Sequence, residues 1–128
     1  MKHDTQVCVK DSLEAARTDC RAFGAAITLK RKNEAGTAYE HCVLSVDGEG
    51  FLAIGEASIP CDVRFVQEHK WQTMTFNVFE MGSGEAVLRA FRVPSEGGAG
   101  IEPIHEVPWS ACCATVIDRY GVCWWLSV

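Results

Sequence analysis

Residues 5–9 (TQVCV) alternate polar and apolar side chains, which is the period of a half-buried strand. Asp11 or Ser12 then stands where a helix cap belongs, and LEAARTDCRAF follows with Gly24 as its stop. Leu13, Ala16, Cys20 and Phe23 recur at helical spacing and predict the buried stripe of that helix. A strand is predicted at AITLKR and a turn from Asn33 to Gly36. AYEHCVLSV and GFLAIGE, joined through Asp47-Gly48-Glu49-Gly50, read as a hairpin. The first half of the chain is therefore β-α-β-β-β.

Ile59 to Lys70 carries Pro60 and mixed charges and reads as a connector with room for one short strand. The element order then restarts. TMTFNVF alternates, and MGSGEAVLRAFRV predicts a short helix that starts at the flexible Gly82-Ser83-Gly84 and is stopped by Pro94 and Gly97-Gly98. IEPIHEV, SACCATVID and VCWWLSV follow as strands, the last two parted by Arg119-Tyr120-Gly121. The two halves repeat in element order and not in sequence. The expectation is a single α+β domain over 1–128. It consists of a first module (1–60), a connector (61–70) and a second module (71–128), forming a curved mixed sheet around a cleft.

Alternation also sorts the faces of these strands. Val7 and Val9 oppose Asp4, Gln6 and Cys8; Cys42, Leu44 and Val46 oppose His41, Val43 and Ser45. Met74, Phe76 and Val78 oppose Thr73, Thr75 and Asn77; Val122, Trp124 and Leu126 oppose Cys123, Trp125 and Ser127. The more apolar face of each strand is expected to pack on a helix and the mixed face to line the cleft.

Composition narrows the function classes. The chain has 128 residues, 48% hydrophobic and 23% charged, which is the size and make-up of one globular domain. No apolar run reaches the roughly 20 residues of a membrane helix, and Met1-Lys2-His3-Asp4 lacks the apolar core of a secretory signal. A net charge of −5 argues against a nucleic-acid or anionic-membrane surface. The seven cysteines are odd in number and show no CxxC spacing, so they read as free thiols in a reducing, cytoplasmic setting. Most lie in apolar runs as small buried hydrophobes, and only Cys8, Cys113 and Cys123 are placed where a reactive thiol is conceivable.

The carboxyl-terminal EVPWSACCATVIDRYGVCWWLSV resembles the ending of the PhnB-like branch of the vicinal oxygen chelate superfamily, which includes glyoxalase I, bleomycin-resistance proteins and extradiol dioxygenases. The carrying residues are Pro108-Trp109 and Asp118-Arg119-Tyr120-Gly121-Val122-Cys123-Trp124, with Cys123 where proline is common. SLEAARTDCRAFGAAI is similar to the family's helix-and-strand passage but holds Thr18-Asp19 in place of an aromatic pair. EHCVLSVDGEGFLAIGEAS resembles its strand-turn-strand segment, with His41 in the histidine position, and EGGAGIEPIHEVPW is similar to its middle. The resemblance implies paired β-α-β-β-β modules around a cleft, in a homodimer whose subunits can exchange modules.

Enzymes of that superfamily hold a divalent metal through one side chain from each of four cleft strands, because such a cation wants oxygen and imidazole donors with positions left for substrate. Gapless counting from Gly24 places the first ligand position at Asp4 and its counterpart at Thr73. A third falls on Trp125 and the fourth near Gly55 or Glu56. Asp4 and Glu56 are the weak metal candidates, Thr73 is a poor ligand and Trp125 is none, so metal-dependent lyase or dioxygenase chemistry is disfavoured and no cofactor is expected. His41, His69 and His105 show no HxH or HExxH spacing, and no GxSxG, P-loop or GxGxxG occurs. Methyl transfer finds no support either, since no glycine-rich cofactor loop follows a strand. The expectation is instead a small-molecule ligand in the cleft. Asp4, Gln6, His41, Glu56, Thr73, Thr75 and Trp125 would hold it, with Trp71 and Trp109 near the rim.

Overall fold

The computed structural model describes Met1, residues 5–58 and residues 74–128. Asp4, Thr73, Trp71, His69 and the connector 61–70 lie outside the described residues. The elements are β1 (Gln6–Val9), α1 (Ser12–Phe23), β2 (Ala26–Lys32), β3 (Tyr39–Val46) and β4 (Glu49–Glu56). After the connector come β5 (Phe76–Val78), α2 (Gly84–Ser95), β6 (Ala99–Val107), β7 (Ser110–Ile117) and β8 (Cys123–Ser127).

They make two four-stranded mixed sheets of identical design, ordered β1-β4-β3-β2 and β5-β8-β7-β6. In each, the first strand runs parallel to the last, and the other pairings are antiparallel. A parallel pair needs a long return path, and in each module the helix and two strands supply it. This is the α+β pair of β-α-β-β-β modules that the element order predicted, and the glyoxalase/bleomycin-resistance-like architecture that the resemblance implied.

The core forms where each sheet meets its helix and where the helices meet each other. Val7, Val9, Cys42, Leu44 and Ile54 fill the first module; Val87, Ala114, Val116, Trp124 and Leu126 fill the second. Phe23 joins the halves, its ring 4.9 Å from Trp124 and 5.1 Å from Phe51, while Phe76 lies 5.4 Å from the same indole. Tilted aromatic contacts of this kind add to plain area burial. The ion pairs that also cross the junction, Arg21–Glu96 at 3.4 Å and Arg119–Glu14 at 3.7 Å, are exposed and contribute little.

Two local expectations are corrected. The buried face of α1 is Ser12, Ala15, Ala16, Thr18, Asp19, Ala22 and Phe23, whereas Leu13 and Cys20 are only partly covered. The helix is wedged between its own sheet and α2, so its buried face is rotated from the single stripe that periodicity predicts. Pro94 does not stop α2 but sits buried in its last turn, and the helix runs on to Ser95. The segment 82–84 is the helix start that was expected, with Ser83 as the cap, accepting a hydrogen bond from the Ala86 N–H. Among the described residues, no helix is long and apolar enough to cross a membrane.

Candidate functional site

Strand register decides which side chains reach the face of each sheet that no helix covers. In the first sheet, pairing of Gln6 with Ala53 and Cys8 with Gly55, and of Val43 with Ala53, puts Gln6, Cys8, His41, Val43, Ala53 and Gly55 on that open face. Gln6 organises it. Its Oε1 accepts a hydrogen bond from His41 Nδ1 at 2.9 Å, and its amide nitrogen donates to Cys8 Sγ at 3.7 Å. The imidazole thereby presents Nε2 as its acceptor nitrogen. Gly55 leaves room for this arrangement: a Cβ in its place would stand 2.8 Å from Gln6 Nε2, at the end of a flexible side chain, and 3.1 Å from the Glu40 carbonyl.

The same register moves Glu56 to the other side. It pairs with Val9 on the helix-facing surface, and its carboxylate accepts hydrogen bonds from Asp11 N–H at 3.1 Å and Ser12 N–H at 2.9 Å. Asp11 itself adopts a left-handed conformation (φ 62°) and makes no side-chain cap. A carboxylate brought in from a distant strand therefore satisfies the first amides of α1, where the helix dipole also favours negative charge. Hydrogen bonds from Ser12 hold the Glu56 carboxyl below its ordinary range. Asp11 thus holds the N-cap position expected for it or Ser12, but the side chain that meets the first amides of α1 is that of Glu56.

On the second sheet, Asn77 pairs with Trp125 and Trp125 with Thr115, so all three share the open face. With Thr75 and Trp109 they line an open hollow of about 590 Å³. Trp125 is half-buried in its wall and does not plug it, while Trp109 is 74% exposed at its edge. Thr115 Oγ1 donates to the Glu102 carboxylate at 2.6 Å, which places an acid beside the hollow. Thr115 and Glu102 were missed as site residues; period-two reading of SACCATVI, which sets Cys113, Thr115 and Ile117 on one face, was the signal for the first. Between the two open faces a cavity of about 270 Å³ is lined by Gln6, Cys8, Met74 and Cys123 together with Val7, Val9, Phe76, Tyr120, Gly121 and Val122. The predicted ligand residues thus fall into two groups, Gln6 with His41 and Thr75 with Trp125.

Cys113 and Cys123 are buried, and Cys8 alone of the three candidates is exposed. His105 lies in β6, as the strand reading of IEPIHEV expected: its Nδ1–H donates to the Pro103 carbonyl at 2.8 Å and its Nε2 faces Cys113 Sγ at 3.4 Å. That geometry resembles a nucleophile and its base, but burial, then Glu102 and Cys112, push the Cys113 thiol up. The thiol stays protonated, which is the opposite of activation. Nor do the described residues fit a metal: no group of three His, Cys, Asp or Glu among them is placed to hold one. The indole at Trp125 offers a cation no lone pair.

No family model matches the chain, and no curated protein matches it. Solved structures do. A putative 3-demethylubiquinone-9 3-methyltransferase, PhnB protein, from Bacillus cereus is 19% identical over 99% of this chain and 98% of its own, with a TM-score of 0.72. TioX from Micromonospora sp. ML1 is 21% identical over 98% and 94%, with a TM-score of 0.67. A fosfomycin resistance protein, FosX, from Listeria monocytogenes, solved with manganese(II), is 14% identical over 99% and 90%, with a TM-score of 0.61. At these identities the likeness shows the fold, which spans the whole chain and is the fold that the carboxyl-terminal motif implied.

Proposed function

We propose that this is a PhnB-like cytoplasmic protein that binds a small, flat molecule on the open face of its second sheet without a complete metal site. The observation that carries the reading is the convergence of Trp109, Trp125, Thr75, Asn77 and Thr115 on one hollow. Two indoles offer stacking surfaces, while two hydroxyls and an amide fix orientation, the usual division of labour in a ligand site. Glu102 beside Thr115 favours a ligand that is neutral or carries positive charge on its edge. The ligand residues proposed are Thr75 and Trp125 with Gln6 and His41 across the seam; Asp4 and Thr73 complete the proposal from outside the described residues.

A homodimer is part of this proposal, because a second copy would roof the hollow. The outermost strands support it by charge. β2 carries Lys30, Arg31 and Lys32, and β6 carries Glu102 and Glu106. Ile101, Ile104 and Leu29 are exposed on the same two strands.

The test is a screen of aromatic fragments by protein-observed NMR, combined with sedimentation and with elemental analysis of untreated protein. Expected are shifts centred on the Trp109 and Trp125 indoles, lost in Trp125→Ala while the circular dichroism spectrum is kept. Binding that survives in Trp125→Ala, or a stoichiometric metal that leaves only when Asp4 is replaced, would sink the reading.

A further inference from the structure

We infer that the ligand of the open-face hollow is a flat heteroaromatic carrying amino groups, which its ring presents to Thr115 on one side and to Thr75 and Asn77 on the other. The inference rests on the ligand-binding reading given above and names the chemical class that the hollow takes.

Register lines up four side chains across the second sheet. Asn77 stands opposite Trp125, Trp125 opposite Thr115, and Thr115 opposite Glu102. One residue thus comes from each of β5, β8, β7 and β6, and Trp125 stands between an amide and a hydroxyl. Adjacent strands are about 4.8 Å apart, so the Asn77 and Thr115 backbones stand about 10 Å from each other, the span of one ring with an amino group and a hydrogen bond on each side. Thr75 precedes Asn77 by two residues, which returns it to the same face, and it lines the same hollow.

The donor and acceptor sense of these groups decides the ligand. Thr115 Oγ1 donates its hydrogen to the Glu102 carboxylate at 2.6 Å, and Thr75 Oγ1 donates its own to Cys123 Sγ at 3.6 Å. A hydroxyl has one hydrogen and two lone pairs, so both threonines turn only acceptor sites toward the hollow. The ionised Glu102 carboxylate is likewise acceptor-only. Its placement has a second sign: after burial, its charge helps push up the Cys113 thiol, which precedes Thr115 by two residues on the same face of β7. A carbonyl or ether oxygen set against Thr115 would meet lone pairs, or would have to draw the hydroxyl away from a charged partner. An amino group meets an acceptor on each side, and the Asn77 carboxamide, donor and acceptor both, fits a ring nitrogen beside it. Trp109 and Trp125 supply the stacking surfaces.

The probe is benzoguanamine, a phenyl diaminotriazine, set against its dimethoxy analogue. Both are flat and uncharged at neutral pH, and the indole N–H signals of Trp109 and Trp125 are the NMR readout. Expected is saturable binding of the diamine, roughly tenfold tighter than the dimethoxy compound. Thr115→Val should bring the diamine down to the level of the dimethoxy compound, and Thr115→Ser should restore the difference. Glu102→Ala frees the Thr115 hydroxyl to donate, so it should tighten the dimethoxy compound and narrow the gap. Three results overturn this inference and leave the ligand-binding reading standing: equal binding of the two compounds, a gap indifferent to Thr115→Val and Glu102→Ala, or no binding of the diamine where other flat fragments bind. Indole signals that no flat compound moves sink both.

Discussion

Asp19 of α1 and Asp118 at the end of β7 meet where the two modules join, and each is almost fully buried, at 3% and 4% exposure. Asp118 spends its oxygens on three donors. Oδ1 accepts from the Tyr120 and Val122 amides at 2.9 Å each, and Oδ2 accepts from Trp124 Nε1 at 3.0 Å. Asp19 Oδ1 has no partner among the described residues. Burial, and then the Asp118 carboxylate, push the Asp19 carboxyl up to about 8.

Asp19 therefore keeps its proton in the folded protein at neutral pH, whereas the unfolded chain loses it near 3.8. The folded state binds the extra proton between those values, so this group's contribution is complete below about 4 and falls through the window up to about 8. It is flat above that, with a limiting slope of about tenfold in the folding equilibrium per pH unit. Thermal unfolding of Asp19→Asn should lack that slope and overtake the wild type toward pH 8. Parallel pH profiles for the two proteins would refute the assignment.

Asp118→Ala removes the carboxylate that serves one buried and two partly buried donors, and an unmet buried donor carries a desolvation cost of about 1–3 kcal/mol. We expect a loss of at least about 3 kcal/mol in urea unfolding, with Asp118→Asn losing less because its amide oxygen still accepts. A loss below 1 kcal/mol in Asp118→Ala, on the same scale of estimate, would mean that the turn is held by other contacts.

Glu56→Ala should behave as the loss of a helix cap and not as the loss of a ligand residue. The expected cost is about 1 kcal/mol in stability, with fragment binding at Trp125 unchanged. Because the Glu56 carboxyl is held low, its contribution is present at neutral pH and fades as acid protonates it. Lost ligand binding at full stability would reverse this reading.

Gly98→Ala should be among the most damaging of small changes. A Cβ there would fall 2.3 Å from the Ile117 carbonyl, 2.6 Å from that of Pro94 and 2.9 Å from Asp118 Cα, all of them backbone. A cost of about 3 kcal/mol or more is expected from denaturant unfolding. The neighbouring Gly97→Ala is opposed chiefly by its own φ of 79°, a smaller penalty.

Among the described cysteines, peptide mapping after brief alkylation should find Cys8 modified first. Cys42 should react last, since it is fully buried and its thiol is pushed up to about 11, first by burial. Early modification of Cys42 or Cys113 would show that the core opens more readily than its packing implies.

Much of this was legible along the chain. Period-two alternation placed Val7, Val9, Trp124 and Leu126 on the core side. Asp47-Gly48 announced the hairpin, Gly24 the end of α1, and Asp118-Arg119-Tyr120-Gly121 the last turn. These features depend on residues close in sequence, so local pattern carries them. The substitution Thr18-Asp19 was visible as a departure from an aromatic pair, but its consequence was not, because Asp118 lies almost a hundred residues away.

Sequence alone determined the repeated β-α-β-β-β order, and with it the fold. Tertiary structure decided the sites. Whether Gly55 or Glu56 faces outward depends on which residue of β4 stands beside Val9 of β1, and one step of register exchanges a ligand position for a helix cap. The gathering of Trp109 with Trp125 depends on how strands and turns distant in the chain come together. Periodicity assigns a side chain to a face, and only packing assigns it its neighbours.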